Sequence, residues 1–124
     1  MRTEQWLGGE WGEIHVPAGK RCEPLELFRD LERKSPNDYK QLLARFNWTA
    51  THGPQLSWFK VLANADGLVQ IRSENYRYIF TPDPQNGRLL IVVHAFRKQR
   101  SGTEQGEIKK ARRKRKDLLK ELGH

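Results

Sequence analysis

One cysteine, Cys22, stands in 124 residues, so no internal disulfide framework can form, and no cysteine–histidine cluster has the spacing of a zinc site. A reducing compartment, the cytoplasm, is the expected home. Long apolar runs are also missing: the longest, Leu89 to Ala95 with His94 inside it, falls far short of the roughly 20 residues of a membrane span. Met1 to Gly12 carry charges and glycines without an apolar core of about 7 to 15 residues, so a signal peptide is not expected there. No glycine-rich phosphate loop, dinucleotide fingerprint or serine in a nucleophile elbow occurs. The common cofactor enzymes are therefore disfavoured, and the expectation is a chain with no cofactor and no metal. Internal repeats and low-complexity tracts are absent as well.

Acidic residues are in deficit. Fifteen Asp and Glu face 23 Lys and Arg, for a formal charge of +8. A field of that sign favours an anionic partner, nucleic acid or acidic protein, through phosphate attraction and counter-ion release. The excess is uneven: from Arg97 onward eleven Lys and Arg meet four Asp and Glu, and the remainder is nearly neutral. The length suits a single domain with one core.

Trp11 to Val16, closed by Pro17 and Gly19, reads as a short first strand, an edge or a starting one. From Glu23 the pattern turns helical: Pro24 suits a first-turn position, and Leu25, Phe28 and Leu31 share a face up to about Lys34. Ser35 and Pro36 provide a cap and a first-turn proline, Tyr39, Leu42, Leu43 and Phe46 give a second amphipathic stripe, and Gly53-Pro54 stops it. Strand formers follow. Leu56 to Leu62 and Leu68 to Arg72 flank an Asp66-Gly67 turn signal, and Ser73 to Asn75 turn the chain again. Tyr76, Tyr78 and Phe80 then alternate with Arg77, Ile79 and Thr81, which directs Arg77 away from the aromatics, toward solvent. Pro82 to Gly87 reads as a loop before a central strand, Arg88 to Phe96. In the tail, Ile108, Ala111, Leu118, Leu119 and Leu122 form one helical stripe broken at Arg115, with Ser101 and Glu104 as a capping box.

Basic groups near the ends of the last strands are the candidate chemistry: Arg72, Arg77, His94, Arg97, Lys98 and Arg100. Guanidinium groups fork onto phosphate oxygens and stay charged at any relevant pH, so the set can bind and polarise a phosphodiester without a metal. Each has a plainer alternative. Arg72 and Arg77 could be solvent-facing strand residues, His94 a hydrogen-bonded core histidine, and the basic tail a solvated helix face. Trp6, Trp11, Trp48 and Trp58 are assigned no site role, because packing is the commoner fate of tryptophan.

The stretches GLVQIRSENYRYIF, from Gly67, and RLLIVVHAFRKQRSGTEQGEIKKA, from Arg88, resemble the RelE/HigB family of type II toxin-antitoxin toxins, and most of all its phage-related, HigB-like branch. The helix pair ELFRDLERKSPNDYKQLLARF with its THGP stop is similar to the entry of the same branch, so the likeness covers about Ile14 to Leu122. It implies an α+β fold, with two helices packed on one face of a small, largely antiparallel or mixed sheet and a basic C-terminal helix. It also implies a ribosome-dependent endoribonuclease that cleaves translated mRNA through the 2′-hydroxyl and is silenced by a cognate antitoxin, expected to be of helix-turn-helix type. Carried over, Arg72 is the arginine of the "LR" element, Arg77 that of "YR", and Arg97 and Lys98 the basic residues after the last strand. These would hold the scissile phosphate, with His94 a possible proton carrier. The family's usual tail tyrosine is missing here. Arg97, Arg100, Lys109, Lys110 and Arg113 are the expected RNA contacts. The rival readings are a non-catalytic nucleic-acid binder and a same-fold toxin that poisons a topoisomerase.

Overall fold

The computed structural model describes residues 2–55, 57–98 and 104–124. The elements run β1 (Thr3–Gly8), β2 (Glu13–Pro17), α1 (Glu23–Lys34), α2 (Pro36–His52), β3 (Phe59–Val61), β4 (Val69–Arg72), β5 (Tyr76–Asp83), β6 (Asn86–Arg97) and α3 (Glu104–Glu121). The fold is α+β, as expected. Its six strands lie in the order β1-β2-β6-β5-β4-β3, every neighbour antiparallel except β2 and β6, which run parallel with Ile14 opposite Leu90.

Alternation along β5 sorts side chains onto two faces. Tyr78 and Phe80 join Ile14, Phe28, Leu31, Leu42, Phe46 and Leu90 beneath α1 and α2. Ile79 joins Leu68, Ile91, Val93 and Phe96 beneath α3, which docks through Ala111 and Leu118. The sheet is thus covered on both sides. The Tyr78 hydroxyl, fully buried, donates to the Pro24 carbonyl at 2.8 Å and ties the start of α1 to the sheet.

The local stop and start signals act where the sequence places them. Pro24 lies in the first turn of α1, Pro36 in that of α2, and Gly53 closes α2 at φ 90°, a left-handed value that a side chain would strain. Asp66 and Gly67 both take positive φ at the β3–β4 hairpin.

Three expectations need correction. The edge strand on that side is β1, not the Trp11 to Val16 segment: Thr3 to Gly8 pair with β2, which becomes an interior strand. The Pro82 to Gly87 loop shrinks to a turn at Pro84 and Gln85, because pairing of β5 with β6 continues to Asp83 opposite Asn86. Ser35 occupies the N-cap position of α2, yet its hydroxyl donates to the Asp38 carboxylate instead of accepting from the helix backbone. Ser101 of the proposed capping box lies outside the described residues.

Candidate functional site: a cationic pocket at the end of the sheet

Where the β4–β5 turn meets α2 and the end of β6, a pocket of about 370 Å³ opens, lined by Gln41, Arg45, Ser57, Arg72, Ser73, Glu74, Arg77 and Lys98. Among the described residues, four cations from four stretches of chain converge there against one lining carboxylate, that of Glu74. Three of the cations, Arg72, Arg77 and Lys98, are residues the sequence singles out; Arg45 is not.

The pocket is held by a polar stripe of α2, because Asp38, Gln41 and Arg45 recur at i, i+3 and i+7 and therefore share a face. That face grips the turn between β4 and β5. Asp38, buried at 2 % exposure, accepts from the Ser73 hydroxyl at 2.7 Å, from the Asn75 backbone N–H at 2.9 Å and side-chain amide at 3.0 Å, and from Ser35. Gln41 accepts the Glu74 N–H at 3.0 Å, and Arg45 donates to the Arg72 carbonyl. The turn in turn accepts the Lys98 N–H on the Asn75 carbonyl at 2.7 Å, which fixes the start of the segment after β6. Burial pushes the Asp38 carboxyl up, but the hydrogen bonds from Ser35, Asn75 and Ser73 outweigh it and hold the group down at about 2.

The two strand arginines face each other across the β4–β5 pair and differ in setting. Arg72 is exposed and donates to the Ser57 carbonyl at 3.0 Å. Arg77 does leave the aromatic face, but solvent is not where it goes: it is 6 % exposed. The start of α3 and the β4–β5 turn cover it, and its guanidinium donates to the Ser73 carbonyl at 2.8 Å and the Tyr76 carbonyl at 3.1 Å, with Glu104 at 3.7 Å. Burial pushes this guanidinium down and Glu104 opposes the shift.

Residues 29–116 match the family model described as Phage derived protein Gp49-like (DUF891). The chain belongs to the Gp49-like family. This is a RelE/HigB-like toxin family, in keeping with the resemblance carried by the LR, YR and HAFRK segments. No curated protein matches the chain.

Two groups named from the Gp49-like sequence stand apart from the pocket. His94 faces α3, where its Nε2 lies 2.9 Å from the Glu107 carboxylate and its Nδ1 2.8 Å from Lys114 Nζ. Lysine only donates, so Nδ1 accepts and Nε2–H donates to Glu107, the neutral tautomer. Burial, ahead of the opposing Glu107 hydrogen bond, lowers its pKa. Both ring nitrogens are thereby used in docking α3, which is the hydrogen-bonded histidine weighed against the proton carrier. Arg97 is exposed at the end of β6 and does not line the pocket, and Arg100 lies outside the described residues.

On α3, Lys109, Lys110 and Arg113 are exposed, and Lys110 pairs with Glu107 at 3.5 Å. Lys114 and Arg115 turn inward instead, Arg115 donating to the Thr81 hydroxyl at 3.0 Å. That contact explains the break in the apolar stripe. Among the described residues no helix is long and apolar enough to cross a membrane.

Arg45, Gln41, Ser57 and Glu74 escaped the sequence reading. The signal that could have found the first two is the spacing of Asp38, Gln41 and Arg45, a polar stripe that by default reads as a solvated helix face.

Proposed function

We propose that this Gp49-like chain is the toxin of a type II toxin–antitoxin pair of the HigB-like kind, an endoribonuclease that cleaves translated mRNA on the ribosome and so arrests growth. The observation that carries the reading is the convergence of Arg45, Arg72, Arg77 and Lys98 on one pocket whose lining, among the described residues, includes the single carboxylate of Glu74. Such a pocket suits a phosphodiester, since forked guanidinium donors match its oxygens and charge grows on them in the transition state.

In this reading the ribose 2′-hydroxyl attacks the adjacent phosphorus. Its proton passes to the Glu74 carboxylate, the bond to the 5′-oxygen breaks, and Lys98 protonates that oxygen. The products are a 2′,3′-cyclic phosphate and a 5′-hydroxyl end. The chemistry relies on a substrate already held in line. A ribosome that fixes the message supplies that orientation, which is worth several kcal/mol of barrier.

The outer face of α3 is the second part of the proposal. Its exposed cations meet ribosomal RNA, and an acidic segment of a helix-turn-helix antitoxin competes for the same face. Changing Lys109, Lys110 and Arg113 together to glutamate is expected to weaken ribosome association and lower the slope of log affinity against log salt by about one per lost phosphate contact. Cleavage by molecules already bound should persist. Co-sedimentation with ribosomes over a salt series measures the slope, and an unchanged slope would reduce the helix to a solvated surface.

The decisive experiment is controlled expression followed by mapping of mRNA 5′ ends. New ends confined to translated frames and bearing 5′-hydroxyls are the expected result. Growth arrest with intact messages would sink the ribonuclease reading; accompanying DNA breaks would point to a topoisomerase instead.

A further inference from the structure

The exposed large apolar side chains among the described residues are Trp48, 46 % exposed, and Val61. Trp48 does not stand alone. Gln41, Arg45, Trp48 and His52 recur at i, i+4, i+7 and i+11 of α2, so they form one stripe whose first two members line the cationic pocket. Arg45 joins the pocket to a second aromatic ring: its guanidinium lies 5.9 Å from the centre of the half-buried Trp58 ring and donates to the Arg72 carbonyl. The Trp58 carbonyl accepts the Arg72 N–H at 3.1 Å, and the neighbouring Ser57 is itself a lining residue. Farther along the stripe the Trp48 and His52 rings lie 4.3 Å apart between centres.

We propose that this stripe is a base-stacking subsite for single-stranded RNA, with Trp48, and Trp58 beside Arg45, taking the bases of nucleotides that flank the phosphate held in the pocket. The inference rests on the reading of that pocket as an RNA site and adds what recognises the nucleotides around it. Three observations favour RNA over a protein occupant. The rings are continuous with the cations, so a backbone lying across Arg72 and Lys98 brings its next bases over α2. The charge is complementary: on the same side of α2 the Asp38 carboxylate is buried and engaged with the turn, and in the adjoining pocket Arg45 stands with Arg72, Arg77 and Lys98 against the Glu74 carboxylate. The chemistry also fits, because alternating cations and ring faces match a phosphate backbone with splayed bases. From Gln41 to His52 the stripe spans roughly 16 Å of helix, room for a short run of nucleotides. A duplex would not serve, since its bases are already stacked on one another.

The test uses the full chain and two labelled probes read by fluorescence anisotropy at fixed salt: a short oligouridylate and an abasic ribose-phosphate oligomer of equal length. Trp48→Ala is expected to weaken oligouridylate binding by about 5- to 100-fold, the range of one lost base–ring stack, and to leave the abasic oligomer unchanged. Trp48→Tyr, which keeps a ring, should recover most of the loss, and a melting curve unchanged by the exposed substitution confirms that the fold is intact. Equal loss on both probes overturns the stacking assignment. Unchanged oligouridylate binding overturns it too. A wild-type chain that binds the abasic oligomer as tightly as oligouridylate refutes the subsite and leaves the phosphate pocket standing; one that binds neither refutes the pocket as well.

Discussion

Asp38→Ala is expected to lower the unfolding free energy by about 3 kcal/mol and to depress RNA cleavage with it. The carboxylate accepts from two hydroxyls, a side-chain amide and a backbone N–H, and Ser73 is as buried as Asp38 itself. Deleting it strands donors away from water, and a buried donor without a partner costs about 1–3 kcal/mol. The turn that carries Glu74 and orders Lys98 then keeps only its Gln41 and Arg45 bonds to α2. Denaturant unfolding measures the first effect and end mapping the second. A pH signature separates this role from simple packing. The carboxyl is lowered from 3.8 to about 2, so its stabilisation is fully present above pH 3.8 and is lost as pH falls through about 2. That difference corresponds to about 2 kcal/mol. Asp38→Asn should therefore be less stable than the parent at neutral pH and converge toward it in acid. Parallel stability curves over that range would remove Asp38 as the anchor.

Arg77→Ala is expected to abolish cleavage and growth arrest, and to destabilise the chain by about 2–4 kcal/mol. The second half follows from burial: the guanidinium bonds two carbonyls and faces Glu104, and alanine removes all three contacts and leaves the space the buried side chain filled. Loss of toxicity in this variant alone would not distinguish chemistry from folding. Arg72→Ala makes that distinction, because an exposed strand arginine contributes little to stability, whereas the proposed function has its fork bind the reacting phosphate. Its melting temperature should stay within a few degrees of the parent, and cleavage should fall by about 10²- to 10³-fold, the cost of removing one preorganised donor from a transition state. Wild-type cleavage by a folded Arg72→Ala chain would show that the reaction happens elsewhere.

Arginine at position 77 illustrates how burial can contradict a periodicity that is otherwise correct. Alternation on β5 predicts its direction, and its direction is right. What covers that face depends on the start of α3, which arrives from 27 residues downstream with Glu104. A charged residue on the outward face of a strand reads as exposed until a later element closes over it. His94 shows the converse: an apolar strand context suggests a hydrogen-bonded histidine, but only the docked helix reveals that Glu107 and Lys114 occupy its two nitrogens.

The sequence by itself determined the elements that depend on nearest neighbours. Pro24, Pro36 and Gly53 set helix boundaries through fixed or left-handed φ, Asp66-Gly67 made the hairpin, and the apolar stripe of the tail made a helix that docks. The segments that carry the family resemblance also named Arg72, Arg77 and Lys98 of the pocket's cations. Tertiary structure alone decided that β1 forms the edge, that β2 runs parallel to β6, and that Arg45 joins Arg72, Arg77 and Lys98. The physical reason is range. Dihedral preference and side-chain alternation act over a few residues, whereas the pocket is closed by Asp38 and Gln41 bonding a turn more than 30 residues away. No local pattern distinguishes a polar helix face that water will satisfy from one that a distant turn will.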